Sequence, residues 1–210
     1  PLYDTAFSFV TKREAGLARL ADLAGRQVGV GPAGGSGQVM LNGVLRRLGI
    51  AVATVTGPSA DLARRLLAGE IDALWLAGSL PAGTVTEVLT GADMRAFGLT
   101  ADEVAACREV FSYAASERIA AATGSGQGGA IFAISVWNFA GTTDRLPDEV
   151  AAAITRLALG RVRDLARVVP VLAGTTAADV LAATFMPVHP GAVAVYREQG
   201  ITLPSGLLPP

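Results

Sequence analysis

Arg26-Gln-Val-Gly-Val-Gly-Pro-Ala-Gly-Gly-Ser-Gly-Gln38 is the stretch whose reading decides the fold. Its first residues form a short strand-like run, and Pro32 to Gly37 is a glycine-rich turn. From Gln38 to Leu48, the residues Met40, Leu41, Val44, Leu45 and Leu48 fall on one helical face, with Gly49 as the stop. Strand, glycine turn and amphipathic helix make one α/β unit. Gly29, Gly31 and Gly34 formally satisfy the dinucleotide-binding pattern. The next strand, around Val52–Thr56, ends without the carboxylate that such a site places about 20 residues on, and Pro32 and the additional glycines lengthen the turn. No Lys-Ser/Thr pair follows the last glycine, so the loop is not a nucleoside-triphosphate cradle. Two readings remain. Free N–H groups at the helix start, Ser36–Gln38, suit a carboxylate or phosphate. Alternatively, the glycines only let strand and helix pack closely.

The same alternation runs outward in both directions. Residues 5–11 read as an opening strand and Gly16–Gly25 as a short helix. Ser59–Ala68 is a helix that Ser59 could cap, and Ile71–Leu76 is a nearly all-apolar strand of the doubly buried kind. A helix at Pro81–Leu89, a strand at Met94–Leu99 and a helix at 101–110 capped by Thr100 follow. Residues 115–129 are polar and small, Ala130–Phe139 is a strand, Asp148–Val168 is one long helix, and short helices follow at Ala177–Thr184 and near Ala192–Glu198. This order predicts an α/β fold with a largely parallel sheet.

Composition narrows the function. The 210 residues are 51% hydrophobic and 17% charged, which excludes a disordered class. Net charge is −1, leaving no cationic footprint for nucleic acid. One cysteine, Cys107, forbids an internal disulfide, and one histidine, His189, removes the usual zinc sets. Ala130 to Ala140 is the longest apolar stretch and falls far short of the roughly 20 residues of a membrane span. Opening on Pro1, the chain reads as a processed product or a piece of a longer one.

Groups for acid–base or nucleophilic chemistry are sparse. His189 is held between two prolines, and no strained Gly-x-Ser-x-Gly turn occurs. Acidic residues such as Asp61, Glu87, Asp102, Glu103, Asp148 and Glu149 fall on solvated helix faces. Trp75, Trp137, Tyr113 and Tyr196 could line a pocket, although Trp75 and Trp137 lie on apolar strands where packing is the default. Cys107 has no activating partner in sequence and reads as an inert thiol. The chain is therefore read as a non-enzyme without cofactor or metal.

The run Phe185-Met-Pro-Val-His189-Pro-Gly191-Ala-Val-Ala-Val-Tyr196-Arg-Glu198-Gln-Gly200 resembles the C-terminal signature of the TAXI family, the TRAP-associated extracytoplasmic immunogenic solute receptors. Gly16–Gly25, Val28–Gln38, Gly69–Pro81 and Arg145–Val150 resemble further family segments in the same order. The resemblance implies a type II periplasmic-binding-protein fold: two α/β lobes joined by crossing strands, with a small carboxylate, an amino acid or organic acid, in the cleft. It also implies a periplasmic location after removal of a signal peptide, and delivery to a TRAP membrane permease.

On that resemblance, Gly35, Ser36, Gly37 and Gln38 hold the carboxylate, and Ala77, Gly78, Ser79, Thr123 and Gln127 line the site. Thr123 and Gln127 match a family segment in which Gly124 replaces a tyrosine, and Gln38 stands where a threonine is usual. Family members carry about a third more chain at the N-terminus. Residues 12 to about 138 are then one complete lobe, and 1–11 with 139–210 an incomplete second lobe with an exposed apolar face. The alternative is a ligand-sensing or interaction module that uses the same fold without transport.

Overall fold

The computed structural model describes residues 1–78, 92–119, 131–182 and 186–210. The chain divides into two compact units, Thr5–Val136 and Pro1–Asp4 with Trp137–Pro210.

The first unit is built on a mixed sheet with helices on both faces. Strand β1 (Tyr3–Lys12) is rich in aromatic and β-branched residues and is buried over most of its length. It runs antiparallel to β4 (Ala73–Ala77), pairing Phe7 with Ala77 and Thr11 with Ala73. It also runs antiparallel to β5 (Met94–Phe97), pairing Phe9 with Phe97 and Thr11 with Arg95. Strand β2 (Gln27–Gly29) is parallel to β3 (Ala53–Val55) and to β4. Strand β6 (Ala115–Ile119) is antiparallel to β7 (Ile131–Asn138). The order is β3-β2-β4-β1-β7-β6, with β5 also on β1.

Three of these arrangements depart from the sequence reading. The sheet is mixed, because β1 enters it antiparallel beside the parallel trio β2, β3 and β4. Residues 5–11, expected with the second lobe, belong to the first unit, where their ladder to β4 and β5 places them in the middle of the sheet. Residues 115–119, in the polar stretch read as a loop or a crossing, pair as β6 because β7 offers them a complete antiparallel edge.

Alternation of side chains along β1 and β4 feeds two cores. Phe7, Phe9, Ala73, Trp75 and Phe97 face helix α1 (Ser36–Leu48), whose buried Met40, Leu41, Val44 and Leu45 carry the periodicity read from sequence. Phe9 sits 4.5 Å from Trp75 and 4.9 Å from Phe97, ring centre to ring centre. Helix α3 (Ala101–Val110) packs on α1, its start closed by a reciprocal Thr100–Glu103 capping box. On the other face, Val10, Leu74 and Leu76 meet Leu62, Ala63 and Leu66 of helix α2 (Ser59–Ala68).

The helix expected at Gly16–Gly25 is reduced to a 3₁₀ turn at Leu20–Leu23. Asp22 accepts the N–H groups of Ala18 and Arg19, both at 2.9 Å, and locks a turn in place of a helix. The Ala18 bond leads in holding the Asp22 carboxyl below its ordinary value. The helix expected at Pro81–Leu89 lies outside the described residues.

The second unit is helical where described. The long helix expected over 148–168 breaks after Gly160 into α4 (Asp148–Gly160) and α5 (Val162–Val168), with Arg161 out of helical geometry at φ −117°. Helix α6 (Pro190–Glu198) packs on α4 and helps bury Val180, Val193, Tyr196, Leu203 and Leu207. His189 caps α6 through its ring, Nδ1 accepting the Gly191 N–H at 3.2 Å, and Pro190 follows at the first helical position. Val150, Ile154 and Leu157 line an exposed face of α4, and Val168 on α5 is 83% exposed. Among the described residues, no helix is long and apolar enough to cross a membrane.

Candidate functional site

The glycine turn ends where α1 begins, and its backbone explains its composition. Gly31 and Gly34 take φ of +81° and +72°, which side-chain-bearing residues rarely adopt. Gly37 is required for a different reason. A Cβ there would lie 2.6 Å from the Val30 carbonyl oxygen, so the helix start is pressed against the end of β2. The close-packing reading of the glycines thus holds for Gly37.

The same turn leaves donors free. Gly35 caps α1 without a side-chain bond. Its N–H donates to Pro32 O at 3.0 Å, which removes Gly35 from the expected donors. The Val39 N–H is taken by Gly35 O. The N–H groups of Ser36, Gly37 and Gln38 and the Ser36 hydroxyl have no partner among the described residues. Gln38 departs from its expected role through its side chain, whose Oε1 accepts the Gly34 N–H at 2.8 Å and closes the turn.

These groups border a cavity of about 390 Å³. Gly35, Ser36, Gly37 and Ala77 line it together, so four of the expected residues share one wall. Gly78 is beyond the lining, and its N–H donates to Ala6 O at 2.6 Å. Ser79, Thr123 and Gln127 lie outside the described residues.

Two further residues join this wall, Ser59, read in sequence only as a cap, and Trp75, read as a possible pocket residue with core packing as the default. Ser59 lines the cavity as the first residue of α2, so a second helix N-terminus opens on the same space. Pro58, rather than Ser59, is the N-cap, which corrects the expected cap. Trp75 also borders the cavity; it is 2% exposed, and its indole N–H has no partner among the described residues. A buried unpartnered donor is unusual enough to require an explanation. Position on an apolar strand concealed it, since core packing and a pocket edge share that sequence signature.

The thirteen described residues that line it are uncharged. Any anion received there meets helix dipoles and N–H donors rather than a counter-charge. Among the described residues, no group of three or more His, Cys, Asp or Glu side chains is placed to hold a metal ion.

Cys107 is fully buried on α3, and burial pushes its thiol up to about 11. Iodoacetamide at pH 8 should therefore leave the native protein unmodified and alkylate it once unfolded by urea. Intact-mass measurement checks this, and rapid native labelling would contradict the buried placement.

The topology is mixed α/β, a parallel trio flanked by an antiparallel strand. Residues 1–200 match the model of the NMT1-like family, and the chain belongs to that family. Comparison with curated proteins found no match. Among solved structures, the chain is similar to a periplasmic binding protein of an ABC transporter from Brucella ovis with glutathione bound. That pair has 14% identity, covers 85% of this chain and 44% of the other, and has a TM-score of 0.44. An ancestral arginine-binding protein bound to glutamine shares 21% identity over 48% of this chain and 43% of that one, with a TM-score of 0.37. The ligand-binding core of GluR0 from Nostoc punctiforme, in complex with glutamate, shares 16% identity over 48% and 44%, with a TM-score of 0.38. The chain spans less than half the length of these structures.

Proposed function

We propose that the chain is the ligand-holding part of an extracytoplasmic solute receptor for a small carboxylate, such as an amino acid or organic acid. The supporting observation is the shared cavity. Two helix N-termini, three free backbone N–H groups, the Ser36 hydroxyl and the unpartnered Trp75 indole border one uncharged space of about 390 Å³. That volume suits a small molecule. Charge-assisted bonds from backbone N–H groups hold a carboxylate without a paired cation. In this reading, Ser36, Gly37 and Gln38 hold the carboxylate through their N–H groups and Gly35 and Ala77 line the space beside them, while Gly78, Ser79, Thr123 and Gln127 enter the proposal on the sequence resemblance alone. Delivery to a TRAP-type permease, and the TAXI-like character that implies it, belong to the same proposal and rest on the sequence resemblance.

Calorimetric titration of the chain with a panel of amino acids and dicarboxylic acids tests this. One member should bind at 1:1 stoichiometry, and Ser36→Ala should weaken it about tenfold or more, the worth of one hydrogen bond to a charged group. No binding across the panel by a folded sample overturns the carboxylate assignment.

A further inference from the structure

A second cavity, of about 500 Å³, runs along β5, and its arginines gather at the opposite end of the same sheet. The strand register places them there. Ala77 of β4 lines the first cavity and pairs with Phe7, whereas Ala73, at the other end of β4, pairs with Thr11, which also pairs with Arg95. Arg13 and Arg95 therefore lie toward the end away from the glycine turn.

Arg13, Arg19 and Arg95 all line this second cavity, over an apolar floor that includes Ala96, Phe97 and Leu99. Two of the guanidinium groups are already held in place. Arg13 Nε donates to Asp93 at 2.7 Å, and its Nη2 donates to Met94 O at 3.3 Å. Arg19 Nη2 donates to Asp22 at 3.3 Å. Arg95 is half-buried and has no ion-pair partner among the described residues. Glu103 is the one carboxylate among the described residues of the lining, and its Oε2 accepts the Thr100 N–H at 2.7 Å in the α3 cap.

We infer that this cavity is a second anion site, which takes a carboxylate or phosphate carried on an apolar body. Arg95 supplies the uncompensated charge and a planar fork that matches either oxyanion. The two paired arginines are pre-positioned beside it, which lowers the cost of ordering the site. Phe97 and Leu99 give an apolar body a surface that bare phosphate does not use. This inference is independent of the carboxylate reading of the glycine turn, because the two cavities share no lining residue.

The test is calorimetric titration of the full chain at fixed ionic strength, with phenyl phosphate, benzoate and inorganic phosphate as probes. Phenyl phosphate or benzoate should bind at 1:1 and tighter than inorganic phosphate. Arg95→Gln should weaken binding at least about tenfold, with Arg95→Lys intermediate, and Ser36→Ala should leave it unchanged. Thermal melting of each variant establishes that it is folded. Three results overturn the inference: no binding by the folded chain, an affinity indifferent to Arg95→Gln, or a loss caused by Ser36→Ala instead, which would assign the anion to the first cavity. Equal affinity for inorganic phosphate overturns the apolar-body part.

Discussion

Gly37→Ala should weaken binding of the carboxylate solute at least about tenfold and destabilise the first unit. The added Cβ would sit 2.6 Å from the Val30 carbonyl oxygen, and both sides of that clash are backbone. No rotamer change relieves it, so the first turn of α1 must move off the end of β2. Alanine ordinarily helps a helix by about 1 kcal/mol over glycine. Overpacking of this kind costs about 1–3 kcal/mol, so the net sign is unfavourable. The displaced atoms carry the free N–H groups of Ser36, Gly37 and Gln38. Losing the alignment of one charge-assisted bond is worth about 1.5–3 kcal/mol, or roughly tenfold and more in affinity. Gly57→Ala is the control in the same unit, because a Cβ there meets Leu62 at an ordinary 3.7 Å. Calorimetry and melting of the two variants decide the matter; an affinity for Gly37→Ala within twofold of the parent would separate the helix start from the ligand.

A large stability effect is expected at Gly191. It is buried in the first turn of α6, and a Cβ there would lie 2.1 Å from Asp148 O and 2.8 Å from Asp148 C, the first residue of α4. The turn has little freedom to retreat. Pro190 fixes the preceding φ. The His189 ring ties the turn at both nitrogens, Nδ1 accepting the Gly191 N–H and Nε2 lying 3.1 Å from Leu146 O. Gly191→Ala must therefore separate α4 from α6 and open the core around Val193 and Tyr196. A cost of about 3 kcal/mol or more is expected. At about 2–4 °C per kcal/mol, the melting temperature should fall by about 6–12 °C. Gly206→Ala, with open space at its Cβ, should leave it unchanged. A Gly191→Ala protein that melts within 2 °C of the parent would contradict the α4–α6 packing.

The exposed ion pairs, in contrast, carry little. Arg156 meets Glu198 through two bonds of 3.1 and 2.6 Å, yet both side chains are about half exposed, so solvent screens the pair.

Much of the α/β order was legible in the chain itself. Helices α1, α2 and α3 are local events, set by apolar spacing over three or four turns and by glycine or threonine at their ends. The unbonded N–H groups of Ser36, Gly37 and Gln38 were legible as well, since a glycine turn between strand and helix leaves the first donors of the helix free, whereas the N–H of Gly35 goes to Pro32 O and Ala77 came from the resemblance alone. Tertiary structure decided what depends on partners distant in sequence. Antiparallel entry of β1 beside β4 joins residues more than 60 apart, and no local periodicity encodes direction. Ser59 and Trp75 reach the cavity only because β2 and β4 lie side by side, bringing α2 and the indole to the start of α1. Gln38 turned inward to Gly34, a choice between neighbours that composition leaves open. Sequence alone determined where donors would be left free; only the fold decided which other groups face them, because convergence is a property of the packed sheet and not of any one segment.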